Sequence, residues 1–435
     1  MKQGLLPWGR HPLLPQRPHA VHWRDDIPVA LRAAARPTLA FGNGRAYGDS
    51  CLAASGEVIF MRGADRVIHI DWTNGTLHAE AGMTLGEILE LTVPHGWFLP
   101  VVPGTSAVTL GGAIANDVHG KNHHRRGTFG CHVRALQLIR SDSPPQLCSR
   151  DENTSLFNAT IGGLGLTGII AAAEVQLVPV SSPAVHTLTR RFDRLEDFFS
   201  LSERFDSVHE YGVAWIDCMA TGRQRGRGIY IAADHAPAGT TARAGRPGLK
   251  VPFTPPLPVI NSLTTRAFNP VYWRMSPPRE TAATMHYKPY FQPLDGIGDW
   301  NRLYGPRGFQ QFQCVLPDAT AEQGVADILD AVTRSRAASF LTVLKRCGDI
   351  PSPGLLSFPM KGTTLAIDFP NTTRLEQDLL ARLDAITHRA GGRLYPAKDA
   401  HMSAWHFRTA YPRWPELEAM RDPALKSRFW ERVAS

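Results

Sequence analysis

The stretch from Pro103 to His124, PGTSAVTLGGAIANDVHGKNHH, gathers residue types that can do chemistry. Gly104, Gly111 and Gly112 free the backbone to approach a bulky ligand, and main-chain N–H groups that converge at such turns bind phosphate. His119 and His123 stand four residues apart, with His124 beside them, and on a helix such a pair could share a metal ion. Gly120 and Asn122 argue against that helix, and no carboxylate or cysteine is spaced to complete a shell, so no metal is assigned. Farther on, GFQQFQCVLP alternates Gln311 and Gln313 with Phe312 and Cys314. Both amides then face one side of a strand, where they need partners if covered and are merely solvated if the strand is an exposed edge. Taken alone, Lys345 and Lys398 read as surface lysines whose stems lie along apolar surface.

Two further glycine clusters, Gly42, Gly44 and Gly48 in FGNGRAYGDS and Gly162, Gly163, Gly165 and Gly168 in IGGLGLTGII, bracket the first stretch. Read as turns at strand ends, these clusters suit a ligand with a long phosphorylated body. The common nucleotide fingerprints are missing: no GxGxxG follows a first strand with an acid about twenty residues on, and no GxxxxGK[ST] occurs.

Residues 26 to 180 alternate short apolar runs with glycine turns, as an α+β domain does. Thr84 and Glu87 form a capping box, and Leu85, Ile88 and Leu89 give the following helix an apolar face until Pro94 stops it. Residues 235 to 290, rich in proline, lysine and arginine, lack periodicity and read as a long basic loop, either a lid or a solvated insertion. Order returns with the Gln311 strand and a helix whose cap is expected at Thr320 and Gln323 and whose stripe is Val325, Ile328, Leu329 and Val332. Strands SFLTVLK and TTLAIDF, a helix over 374–390 with Leu375, Leu379, Leu383 and Ile386 inward, and GGRLYPAKDAH complete the pattern. It describes a sheet covered by helices on one face, with substrate expected on the other.

The 435 residues allow two or three domains, and 43% hydrophobic with 20% charged residues is ordinary for a globular chain. No apolar run approaches the roughly 18 residues that span a bilayer. The N-terminus offers no signal-peptide core and the six cysteines show no CxxC spacing, so a cytoplasmic location with reduced thiols is expected. A formal net charge of +8 attracts anions, yet no zinc-finger spacing, aromatic RNA-binding pattern or basic helix points to nucleic acid.

The succession GNGRAYGDS, AGMTLGEIL, GWFLPVVPGTSAVTLGGAIANDVHGKNHHRRGTFGCHV and IGGLGLTGII resembles the FAD domain of the vanillyl-alcohol-oxidase (PCMH-type) superfamily. With AWIDC, QPLDGIGDWNRLYGPRGFQQFQCVLP, LSFP, AIDFP and GGRLYPAKD, the likeness extends over nearly the whole chain to the decaprenylphosphoryl-β-D-ribose 2′-oxidases, the flavoprotein half of the epimerase that makes the arabinose donor for cell-wall arabinan. The resemblance implies an FAD-binding domain of two α/β subdomains over residues 1–181. It implies a substrate-binding cap over 182–392 with an antiparallel sheet, and a return to the FAD domain over 393–435.

By the same resemblance, the run Gly42, Asn43, Gly44, Arg45, Ala46, Tyr47, Gly48 and Asp49, with Gly104, lies along the FAD pyrophosphate. Thr109, Leu110, Gly111, Gly112, Asn116, Asp117, Val118 and His119 line the isoalloxazine and ribityl chain, Ile170 the adenine end, and Tyr395 the ring. Tyr47 stands where relatives that bond flavin covalently carry histidine, so the flavin is expected to be non-covalent. Lys398, His119, Gln313, Gln311, Lys345, Tyr47 and Trp215 are implied as the catalytic pocket around a sugar hydroxyl, whose hydride goes to flavin while its proton needs an acceptor. Ala366 and Phe291 replace a reactive cysteine and a tyrosine of mycobacterial members, so thiol-trapping inhibitors of those enzymes are not expected to bond here. The implied substrate is a polyprenylphosphoryl ribofuranose, with a short-chain reductase as partner and peripheral contact at the inner membrane surface. The alternatives are a soluble sugar, alditol or aldonolactone as substrate, or a flavin-binding scaffold without turnover.

Overall fold

The computed structural model describes residues 4–245, 248–372 and 375–434. Three sheets of three or more strands organise them, beside two two-stranded ones. A small parallel sheet joins strands Arg17–Ala20, Glu57–Phe60 and Ala40–Phe41. An antiparallel sheet of five strands runs in the order Val67–Asp71, Thr76–Glu80, Ile169–Gln176, Val133–Ile139, Gln146–Ser149. The third has eight strands, each antiparallel to its neighbours, in the order Thr281–His286, Ala184–Phe192, Gly228–His235, Tyr211–Ile216, Thr342–Cys347, Gly362–Pro370, Phe309–Pro317 and Arg393–Leu394.

The helix Leu85–Thr92 forms where the capping box stands: Thr84 Oγ1 accepts from Glu87 N at 3.2 Å and Glu87 Oε2 accepts from Thr84 N at 2.8 Å. On the eight-stranded sheet, Phe312, Cys314, Leu316, Leu344, Leu365 and Ile367 form one face, buried in a common core with the stripe Val325, Ile328, Leu329 and Val332. Each such aliphatic side chain stabilises the fold by about 1.5–3 kcal/mol on burial, so helix and sheet hold each other. The opposite face is left for polar side chains, because successive strand residues point to opposite sides.

Four expectations are corrected. The 235–290 segment is not a continuous loop: it carries a helix at Ser262–Met275, a strand at Thr281–His286 and a short helix at Tyr287–Phe291. Pro270 lies inside the first of these, whose start is fixed by Asn261 Oδ1 accepting from Leu263 N and Thr264 N. Helix Asp318–Ser335 begins before Thr320, so Thr320 and Gln323 do not cap it; Thr320 Oγ1 donates to Ala390 O at 2.6 Å and Gln323 Nε2 to Asp327 Oδ1 at 2.8 Å. The expected helix over 374–390 is α-helical from Leu380 to Arg389 after a π-turn at Leu375–Leu379, and its residue 374 lies outside the described residues. Gly111 and Gly112 are not a strand-end turn but part of the helix Leu110–Ala115, capped by Thr109 Oγ1 accepting from Gly112 N at 3.2 Å.

After the last strand the chain packs against the N-terminal residues: Tyr47 N donates to Ala397 O, Thr38 N to Ala424 O and Arg428 N to Leu52 O. Gly48 sits in this seam, where a Cβ would lie 1.8 Å from Asp399 O, so only glycine permits the approach.

Candidate active site

Register on the open face of the eight-stranded sheet brings distant residues into line. Trp215 pairs with Val343, Val343 with Ala366 and Ala366 with Gln313, a row across four strands. In the adjoining row Lys345 pairs with Thr364, and one row to the other side Asp368 pairs with Gln311. Gln311, Gln313 and Lys345 are all buried, which excludes the solvated-edge and surface-lysine readings.

Two polar clusters result. In the first, Lys345 Nζ donates to His119 Nδ1 and to Gly120 O. A proton given to Nδ1 leaves the hydrogen of the neutral ring on Nε2, which faces the Gln313 amide at 3.2 Å. Gln313 Nε2 points at His119 and donates to Thr364 Oγ1, 3.4 Å away; the same amide turned end for end offers its oxygen to the His119 Nε2 hydrogen instead. Burial and the Lys345 charge hold the His119 ring neutral, its pKa well below the ordinary histidine value, while burial pulls Lys345 down to about 8. Tyr395 and Phe358, stacked at 4.5 Å, flank His119 with ring centres 5.6 Å away, and Tyr395 Oη donates to Asn116 O at 3.0 Å.

In the second cluster, Gln311 Nε2 donates to Asp368 Oδ1 at 2.5 Å, and Gln311 also meets the Tyr47 hydroxyl. Lys398 Nζ packs on the Tyr47 ring. Burial drives Lys398 well below the ordinary lysine value and Asp368 well above the usual carboxylate range, each partly restrained by the other's charge. Among the described residues Asp368 Oδ2 has no hydrogen-bond partner. Placing such charges away from water costs several kcal/mol each, a cost that folding alone gives no reason to bear. Lys398 also depresses the His119 pKa, which ties the two clusters together.

The N-terminal loops supply a different donor set. Gly44 adopts φ +60°, a left-handed angle that suits glycine, and among the described residues the N–H groups of Asn43, Gly44, Arg45 and Ala46 have no acceptor. Arg45 lies 4.1 Å over the Trp8 ring; among the described residues its buried Nε has no partner and no atom lies within 4 Å of where a Gly104 Cβ would stand. Unpaired N–H groups, a guanidinium and a side-chain-free bend fit the diphosphate of a dinucleotide.

Other residues of the expected cofactor set are committed elsewhere. The Asp117 carboxylate accepts from Gly130 N at 2.8 Å, Ser352 Oγ at 2.5 Å and Ser357 Oγ, and Asp49 is held by Arg432. Their side chains thus brace loops, leaving only main-chain atoms for a ligand. Leu110, Val118 and Ile170 are core side chains, and Asn116 Nδ2 donates to Gly112 O within its helix. Thr109 faces Gly42, whose Cβ would stand 2.3 Å from Thr109 Oγ1. Trp215 keeps its place in the row, with Nε1 donating to Phe340 O at 2.8 Å.

Two residues go unmarked as site residues in the sequence reading, the buried Asp368 and the half-buried Lys121. Asp368 is signalled only by a lone acid in an apolar strand opposite a glutamine. Lys121 donates to Tyr290 O, lies 4.2 Å over the Tyr290 ring and has its pKa drawn down to about 7 by burial. Of the histidines beside it, His123 Nδ1 accepts from Gly348 N at 3.1 Å and His124 Nε2 meets His209 O at 3.2 Å, so they splay to different partners.

Comparison with known proteins adds to this geometry. A family profile described as FAD binding domain matches residues 20–144. The chain is 33% identical to a decaprenylphosphoryl-β-D-ribose oxidase of Mycolicibacterium smegmatis over 91% of its own length and 88% of the relative's. It is 35% identical to an uncharacterized protein in the mprA 5′ region of Streptomyces coelicolor, over 79% of this chain and 96% of that one. Similarity to the L-gulonolactone oxidase of Mus musculus is 26% and covers 46% of each chain.

Proposed function

The chain belongs to the PCMH-type FAD-binding family that includes the decaprenylphosphoryl-β-D-ribose oxidases, an FAD-dependent oxidoreductase of CH–OH groups, and from that premise we propose that it oxidises the 2′-hydroxyl of a polyprenylphosphoryl-β-D-ribofuranose to the ketone. The observation that carries the reading is the convergence of Lys345, Gln311, Gln313 and Asp368 from three adjacent strands on His119, Tyr47 and Lys398. FAD, when bound, supplies the two-electron acceptor for the hydride that leaves the carbinol carbon. The loops at 42–46 and 104 would hold its diphosphate through main-chain N–H groups, with Tyr395 and His119 the residues that would lie toward its ring.

Lys398 accepts the hydroxyl proton: its low pKa lets the neutral amine form near neutral pH, and Asp368 then stabilises the ammonium. Gln311 holds Asp368 in place, while Gln313 and the Lys345-oriented His119 position the sugar hydroxyls. The cap sheet excludes water from these groups, which strengthens each interaction. The flavin is bound without a covalent link, and a separate reductase returns the keto sugar to the alcohol of opposite configuration. Among the described residues no helix is long and apolar enough to cross a membrane.

Anaerobic mixing with polyprenylphosphoryl ribose tests the reading. Bleaching of the flavin absorbance is the expected result. Bleaching by free alditols or aldonolactones instead would assign a soluble substrate, and no bleaching by any alcohol would leave a scaffold.

A further inference from the structure

We propose that the helix Ser262–Met275, with the segment leading into it, docks on an anionic lipid bilayer. The helix is packed inside out. Thr265, Asn269 and Trp273, one turn apart, form its buried face. There Asn269 Nδ2 donates to Asp217 Oδ1 at 3.0 Å and to Ser339 O at 3.2 Å, and Trp273 Nε1 donates to Phe192 O at 3.0 Å. These bonds fix the rotation of the helix about its axis. The face turned outward carries Leu263, 78% exposed, Val271, 53%, and Met275, 79%, with Phe268 beside them. A helix bordering water presents the reverse arrangement, and a contiguous apolar patch on a surface marks a contact with something other than water. Leu249 and Leu257, in the segment leading into the helix, are also well exposed.

Charge selects the occupant. Residues 236 to 279 contain six lysines and arginines and no aspartate or glutamate. Arg266 and Arg274, both exposed, lie between the buried face and the Val271–Met275 edge at the 100° step of a helix. Apolar side chains bordered by cations are the two-part signal of a helix lying in a headgroup layer, where the alkyl groups enter the acyl boundary and the cations meet lipid phosphate. A second copy of this surface would set arginine against arginine without a carboxylate between them.

The patch adjoins the open sheet face. Tyr272 packs edge-on to Trp215 at 4.9 Å, and Trp215 stands in the row with Ala366 and Gln313. A lipid-linked sugar therefore passes from the bilayer to this face without crossing water; that consequence rests on the substrate reading above, whereas the docking rests on the helix and its charge.

Flotation of the flavin-loaded full chain with vesicles of equimolar phosphatidylglycerol and phosphatidylcholine tests it. The protein is expected to float with these vesicles and much less with phosphatidylcholine alone. Val271→Asp with Met275→Asp is expected to lower the bound fraction about tenfold, and Arg266→Gln with Arg274→Gln to abolish the preference for anionic vesicles. Unchanged flavin absorbance certifies that each variant is folded. A wild-type chain that stays at the bottom, or a Val271→Asp, Met275→Asp variant that floats equally well, overturns the proposal. So does sedimentation showing a dimer that this variant dissolves, which would make a second copy the occupant. Flotation without bleaching by polyprenylphosphoryl ribose would sink the substrate reading and leave the docking standing.

Discussion

Lys398 Nζ lies 3.6 Å from the centre of the Tyr47 ring, and the neighbouring charge that favours its protonation is Asp368. If the neutral amine takes the substrate proton, kcat/KM falls as pH drops through the Lys398 pKa. Asp368→Asn removes the charge that holds the ammonium, so the acid limb of the profile moves to lower pH. Lys398→Met is expected to slow flavin reduction about 10²–10⁴-fold while the bound flavin spectrum persists. Stopped-flow reduction across a pH series reads all three.

Tyr47, not histidine, follows the loop 42–46 proposed to hold the diphosphate, and its phenol is engaged with Gln311. Precipitation with trichloroacetic acid should therefore release the yellow colour to the supernatant. Flavin fluorescence retained on the denatured chain in a gel would show a covalent link and refute this.

Gly48→Ala drives a methyl group into Asp399 O, backbone against backbone, so neither partner can swing away. A loss of about 1–3 kcal/mol is the lower expectation for such overpacking. Because Asp399 follows Lys398, flavin reduction slows as well, and calorimetry beside single-turnover kinetics separates the two effects.

His123 is mostly buried and neutral, its pKa pulled down to about 3 chiefly by desolvation. Between that value and the ordinary histidine pKa near 6.5 the unfolded chain binds a proton that the folded one refuses, so stability rises with pH across the window and is lost on acidification. At pH 5 the loss from this group is about 2 kcal/mol. His123→Asn, which keeps an acceptor for Gly348 N, should lose that much less between pH 7 and pH 5 in denaturant titrations.

The elements legible in the sequence are those whose signals are local. Thr84 and Glu87 are three residues apart and cap their helix as spaced, and the Phe312–Leu316 alternation sorts the two sheet faces. The helix at Ser262–Met275 is illegible because most of its apolar side chains point outward and Pro270, carried inside it, reads as a helix breaker, so the stripe that marks a packed helix is turned about. Lys345 and Asp368 reach the site by strand register, a property of pairings between segments far apart in the chain. Alone, Lys345 reads as a surface lysine and only the resemblance points to it, while nothing in the sequence singles out Asp368.

The alternation of sides on the paired strands Phe309–Pro317, Gly362–Pro370 and Thr342–Cys347 makes the chemistry hostage to alignment. One inserted residue within any of them would present Leu344 where Lys345 stands, Phe312 for Gln313 or Ile367 for Asp368, and would thrust an ammonium, an amide or a carboxylate among the alkyl groups beneath the helices. Length changes should therefore accumulate in the connecting bends during divergence, leaving the three segments themselves fixed in span.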